Sequence, residues 1–187
     1  MAQDDSARTV EEVVVTALRK ETNLQDTAIT ITAITSDDLE LKQLENFEDL
    51  QFAVPTLTFA KGAYSGAGIS LRGIGNFAVG NSSSNAIGYF WNGQTASQSG
   101  LYEAEFFDVE RVEVLRGPQG TLFGSGTTGG AVQMITVRPN AEAGGNIKVD
   151  LADYDSTRLS GAVNLPLSDT LRSRFAFASL KRGGFVT

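Results

Sequence analysis

The chain has 187 residues and a net charge of −7, from 22 acidic against 15 basic side chains. That is room for one sizeable domain with extra elements, and the acidic balance argues against a nucleic-acid partner. With no histidine and no cysteine, zinc sites, disulfides and Ser-His-Asp or thiolate catalysis are excluded, and no carboxylate pair stands out as an acid–base couple. We therefore expect no catalytic residue, no metal site and no cofactor. No apolar run approaches the ~20 residues of a transmembrane helix. A transmembrane strand stays open, because it needs only ~9–11 residues with apolar side chains out and polar ones in.

Met1 to Arg8 is polar and charged, with no apolar face to bury, and reads as disordered. Met1-Ala2-Gln3 fits either the tail of a small-residue cleavage site or an ordinary start. Glu12-Val13-Val14-Val15-Thr16-Ala17 follows. Its β-branched run beside a polar tail predicts a short strand with a free edge. From Ala28 to Ile34, Ile29 and Ile31 alternate with Thr30 and Thr32, the pattern of a half-buried strand. Thr35 and Asp38 have capping-box spacing and open a helix whose apolar residues are Leu39, Leu41 and Leu44. Asn46 caps a second short helix through Phe47, Leu50 and Phe52, stopped before Pro55. With the extended Pro55–Phe59 this makes a small α+β unit.

Gly62 to Gly75 surrounds a short strand, Ile69-Ser70-Leu71-Arg72. Gly73-Ile74-Gly75-Asn76-Phe77-Ala78 matches a dinucleotide fingerprint by letter, but the loop-like Val79–Asn85 supplies no helix N-terminus for a pyrophosphate. Gly124 to Gly130 likewise lacks the lysine of a phosphate loop. Val112 and Val114 alternate with Arg111 and Glu113 as a strand; Gly117-Pro118-Gln119-Gly120 breaks it. Six glycines fall from Gly117 to Gly130, and a second strand pattern runs through Ala131, Val132, Met134, Ile135 and Val137.

From Asn146 onward three segments each carry one apolar and one polar face. Ile147, Val149 and Leu151 alternate with Lys148, Asp150 and Ala152. Leu159, Val163, Leu165 and Leu167 alternate with Arg158, Ser160, Ala162 and Asn164. After a turn at Ser168-Asp169, Leu171, Phe175 and Phe177 alternate with Arg172, Arg174 and Ala176. The period fits the start of a transmembrane barrel and equally a soluble sheet with one wet face.

The segment VERVEVLRGPQGTLFGSGTTGGAVQMITVRP, Val109 to Pro139, closely resembles the hallmark of the plug domain of TonB-dependent outer-membrane receptors. Ile69-Ser-Leu-Arg-Gly-Ile-Gly75 is similar to the family's first Arg-Gly motif and Leu115–Gly120 to its second; Glu12–Ala17 resembles a TonB box. One strand departs from the family pattern: in Gly88-Tyr89-Phe90-Trp91-Asn92-Gly93, Asn92 stands where an aspartate is usual. The resemblance implies a flexible tail with the TonB box over 1–23, a plug over 24–140 and the first strands of an incomplete barrel over 141–187. A plugged barrel has about 22 strands, so the chain reads as an N-terminal fragment of a receptor.

The resemblance further implies TonB-dependent uptake of a scarce nutrient, by family frequency a ferric siderophore, with no enzyme activity. Partners would be TonB, binding Glu12, Val13, Val14, Val15, Thr16 and Ala17; a chelated metal or other small nutrient; and outer-membrane lipid. Arg72 and Arg116 would anchor the plug to barrel-wall carboxylates. Outward loops bearing Tyr64, Phe77, Asn81, Ser82 and Gln94 would meet the substrate. The alternative is a free-standing soluble α+β module with a glycine-rich ligand loop.

Overall fold

In a computed structural model of the chain, the described residues are 14–15, 22–23, 30–62, 66–75, 86–96, 104–153 and 155–183. The chain divides into two compact units, Met1–Glu105 with Arg111–Ile135, and Phe106–Glu110 with Thr136–Thr187. The architecture is mixed, with short helices among mostly antiparallel strands.

The first unit is built on a five-stranded sheet. Its strands are β3 (Ile31–Thr35), β7 (Ile87–Trp91), β8 (Gln94–Thr95), β9 (Val109–Arg116) and β10 (Gly130–Thr136), in the spatial order β3-β9-β10-β7-β8. β3 runs antiparallel to β9, and β10 runs parallel to β7. A separate antiparallel sheet joins β4 (Leu57–Gly62), β5 (Gly66–Leu71) and β6 (Ile74–Gly75). At the N-terminus β1 (Val14–Val15) pairs with β2 (Thr22–Asn23).

The large sheet is covered on both faces, and successive β7 residues show it. Tyr89 meets Phe47 edge-on, with ring centroids 4.9 Å apart, while Phe90 meets Phe123 at 4.7 Å. Phe90 and Phe123 form a core cluster with Val15, Leu115 and Ala131, against which Ile31 and Ala33 pack. The valine–charge alternation of β9 therefore does not mark a wet face. Its inner residues Arg111–Leu115 are all buried, Glu113 completely. Central strands covered on both faces lose the contrast that alternation normally signals.

Helix α1 (Ser36–Leu41) starts as its capping pattern predicts: Thr35 Oγ1 accepts from the Asp38 N–H at 3.3 Å. Lys42 donates to the Asp38 carboxylate at 2.7 Å, and that hydrogen bond holds the carboxyl below its ordinary range. The small stabilisation it adds is present above the unfolded carboxylate pKa and is lost as pH falls through the lowered value. Asn46 caps the next turn. Its Oδ1 accepts from the Asp49 N–H at 3.1 Å while Asp49 Oδ2 accepts from the Asn46 N–H at 3.2 Å, ahead of α2 (Leu50–Ala53). Two of the apolar residues of these helices are exposed, Leu41 at 83% and Phe52 at 79%. Each lies two positions from a buried leucine, Leu39 and Leu50, which on a helix is roughly the opposite side. We expect Thr35→Ala to cost about 1 kcal/mol and to lower the thermal midpoint of this unit by roughly 4 °C, read by calorimetry. An unchanged midpoint would mean the cap adds nothing.

The glycine-rich stretch after β9 is not all loop. It contains a one-turn helix, α3 (Gly120–Phe123), which carries Phe123 into the core. The glycines around this turn mask it in sequence, because glycine is a poor helix former.

The second unit contains an antiparallel sheet of β11 (Gly144–Ala152), β12 (Ser156–Pro166) and β13 (Arg172–Lys181), joined at its second turn by the Leu167 N–H donating to Leu171 O at 2.9 Å. All three were expected, and the sheet remains open at β11 and β13 among the described residues.

Candidate functional site

The register of the second sheet decides what periodicity left open. Ile147, Val149, Leu151, Leu159, Val163, Leu165, Phe175 and Phe177 fall on one face. That face is the exposed one: Phe175 is 65% accessible and Val163 43%. The opposite face holds Asn146, Lys148, Asp150, Arg158, Ser160, Ala162, Asn164, Arg174 and Ala176. Ala162 and Asn164 on it are each 3% accessible. A sheet in water buries its apolar side. This one buries Ala162 and Asn164 of its small and polar side and presents the apolar side outward, which is the arrangement of a strand facing lipid.

The buried polar face grips backbone. Asn164 Nδ2 donates to Asn140 O at 3.1 Å and also to Glu142 O, while its Oδ1 accepts from the Asn140 N–H at 3.2 Å. Arg174 forks onto the Asp108 carboxylate, Nε at 2.8 Å and Nη2 at 2.6 Å, both side chains 16% accessible. Arg158 Nη2 donates to Phe106 O at 3.4 Å. In sequence Arg158, Asn164 and Arg174 stand out only as polar alternates of their strands, and nothing pairs them with Asp108. An aspartate immediately before the valine of a strand was its one local signal.

The two expected anchors differ from one another. Arg72 is exposed and occupies a two-residue hairpin turn with Gly73, at φ 54° and 79°, between Leu71 and its partner Ile74. Asn92-Gly93 makes the matching turn between Trp91 and Gln94, at φ 48° and 80°. Both central residues of a type I′ turn need positive φ, and Asn-Gly is its preferred pair. Asn92 is thus accounted for by turn chemistry. Arg116, at the end of β9, is half-buried. It donates from Nη2 to Thr32 Oγ1, while its Nε is buried without an acceptor among the described residues.

Of the expected coupling segment, Val14 and Val15 lie in β1, Val14 opposite Asn23. Val15 is 1% accessible and belongs to the core cluster, so the strand is seated by this side chain and pairs on one side with β2, while among the described residues its other edge has no strand partner. A β-branched side chain beside an apolar cleft gains more by burial than by solvation. Glu12, Val13, Thr16 and Ala17 lie outside the described residues, as do Tyr64, Phe77, Asn81 and Ser82. Gln94 is described, exposed in β8. Among the described residues no helix is long and apolar enough to cross a membrane, and no cluster of acidic residues could hold a metal ion.

A small mixed domain followed by antiparallel strands that turn their apolar face outward defines a plug with the opening strands of a membrane barrel. The family model of the TonB-dependent receptor plug domain matches residues 23–131, and the chain belongs to this family. The iron-regulated outer membrane virulence protein of Vibrio cholerae is 30% identical over 179 residues, covering 89% of this chain and 27% of that protein. The ferric enterobactin receptor of Pseudomonas aeruginosa is 36% identical over 99 residues, 50% of this chain and 13% of that one. The crystal structure of the ferric yersiniabactin uptake receptor FyuA from Yersinia pestis matches with a TM-score of 0.72 at 25% identity, over 80% of this chain and 24% of that one. The chain thus spans about a quarter or less of the length of these relatives.

Proposed function

We propose that this chain is the plug and first barrel strands of an outer-membrane receptor that takes up a ferric siderophore by TonB-dependent transport. The outward apolar face of β11–β13 is the observation that carries it: such a sheet has its place in lipid, and a plug-family domain precedes it in the chain. Relatives named for ferric enterobactin and ferric yersiniabactin favour an iron chelate. With neither histidine nor cysteine in the chain, the metal would arrive already chelated.

In this reading Glu12–Ala17 pairs with TonB by β-augmentation, in which backbone hydrogen bonds supply the affinity. The segment must first leave its seat, since Val15 is buried against Phe90 and Leu115. Arg72 and Arg116 would meet carboxylates of the barrel wall; the exposure of Arg72 at its turn leaves that side chain open to such a partner. Loops with Tyr64, Phe77, Asn81, Ser82 and Gln94 would face the substrate.

The test is Val14→Pro in the full-length receptor. Proline removes a ladder donor and fixes φ, so ferric siderophore uptake should fall to background while binding at the cell surface persists. Val14→Ala keeps the backbone and should retain most uptake. Normal uptake by Val14→Pro overturns the coupling role. Cobalamin transport in place of siderophore transport would transfer the substrate reading to the vitamin B12 transporter of Vibrio vulnificus, which is 25% identical over 182 residues.

A further inference from the structure

The second unit contains two short pieces of chain from either end of the β9–β10 pair. Phe106–Glu110 leads into β9, and the residues from Thr136 onward leave β10. They are joined to each other, because the Val137 N–H donates to Asp108 O at 3.0 Å. At the other end of the pair the Gly117 N–H donates to Gly129 O at 3.2 Å. The β9–β10 pair is thus closed by a backbone hydrogen bond at each end, and we call the two segments at its open end, Phe106–Glu110 and the residues from Thr136 onward, its feet.

Both feet are gripped by the polar face of β12 and β13. Arg174 takes the Asp108 carboxylate in a two-pronged ion pair, Arg158 takes Phe106 O, and Asn164 takes Asn140 and Glu142. Arg174 stands directly opposite Asn164 in the register, so the two grips share one rung of the sheet. Asp108 has φ 48°, a conformation that only asparagine and aspartate adopt readily among residues with a side chain. The strained backbone aims the carboxylate at Arg174. Bidentate guanidinium–carboxylate pairs are the strongest of the ordinary hydrogen-bonded contacts and are direction-specific.

We propose that the Asp108–Arg174 pair is the latch that holds the segment Phe106–Glu110 on the strands β12 and β13. The inference rests on the plug-and-barrel reading above. It adds a retention point distinct from Arg72 and Arg116, located where the plug chain first reaches the strands rather than at the motif loops. In this proposal the segment Phe106–Glu110 stays on β12 and β13 during transport, held by the ion pair at Asp108 and by the Val137 N–H on Asp108 O.

The experiment is amide hydrogen exchange on the full-length receptor in detergent micelles, with Asp108→Asn, Arg174→Met and the double variant. Asparagine tolerates the left-handed backbone at least as well as aspartate, so Asp108→Asn removes the charge and spares the fold. Each single variant should raise exchange about tenfold at residues 108–110 and 137. Exchange in β3, residues 31–35, should stay unchanged. The double variant should be no worse than either single one, because the same contact is lost in all three. Additive effects, a uniform rise across the plug, or no rise at all would overturn the latch. Loss of ferric siderophore uptake as an activity of this receptor, with the local rise intact, would instead overturn the transport reading and leave the latch standing.

Discussion

Gly130→Ala should remove the folded plug. The residue opens β10 at φ 146°, and a methyl group there would lie 2.3 Å from Leu115 O and 2.8 Å from Leu71 Cδ1. The first contact is with the backbone of a completely buried residue, which has no rotamer by which to yield. Backbone strain at such a φ and overpacking each cost about 1–3 kcal/mol. Together they remove a large part of the 5–15 kcal/mol that typically holds a domain. In calorimetry of the full-length receptor the plug transition should drop by roughly 10 °C or more, or disappear. Gly120→Ala is the control. Nothing lies within 4 Å of its added methyl and it sits in α3, so it should be neutral or stabilise by about 0.5 kcal/mol. Equal effects at the two sites would show that space at Gly130 is not what demands glycine.

Glu113→Ala should come close to the same result by a different route. Arg111 Nε donates to Glu113 Oε1 at 2.8 Å along one face of β9, with Glu113 wholly buried and Arg111 9% accessible. Deleting the carboxylate leaves a buried guanidinium without that counter-charge. Breaking a buried pair from one side costs about 3–5 kcal/mol, whereas replacing both members by apolar residues of similar volume is often neutral. Arg111→Met with Glu113→Leu should therefore restore most of the midpoint that Glu113→Ala loses. A single variant that melts within a degree or two of the wild type would show that the pair does not hold β9.

The ion pairs of this chain do different work because they sit in different surroundings. Arg111–Glu113 lies inside a sheet covered on both faces, and its removal acts on the whole fold. Lys42–Asp38 is a solvated pair on a short helix, where such contacts add a few tenths of a kcal/mol. Asp108–Arg174 is intermediate in burial and joins segments 66 residues apart in sequence, which suits a contact that must hold a position without carrying the core.

By itself the sequence determined the local elements and the family. Capping at Thr35 and Asn46, the period of β11–β13 and the motif around Leu115-Arg116-Gly117 are encoded within a few residues, by side chains that bond their own backbone or alternate between two faces. Three things needed the tertiary structure. Whether the alternating strands are wet or lipid-facing depended on which face is covered, and the register puts Val163, Phe175 and Phe177 outside and Asn164 inside. Burial of Arg111 and Glu113 depended on β9 taking an interior place between β3 and β10 in a sheet covered on both faces. The Asp108–Arg174 fork and the seat of Val15 depended on long-range contacts between residues that carry no mark of partnership in sequence. Local hydrogen bonds and periodicity act over one turn or one strand, whereas covering a face and pairing a charge are settled only when distant segments meet.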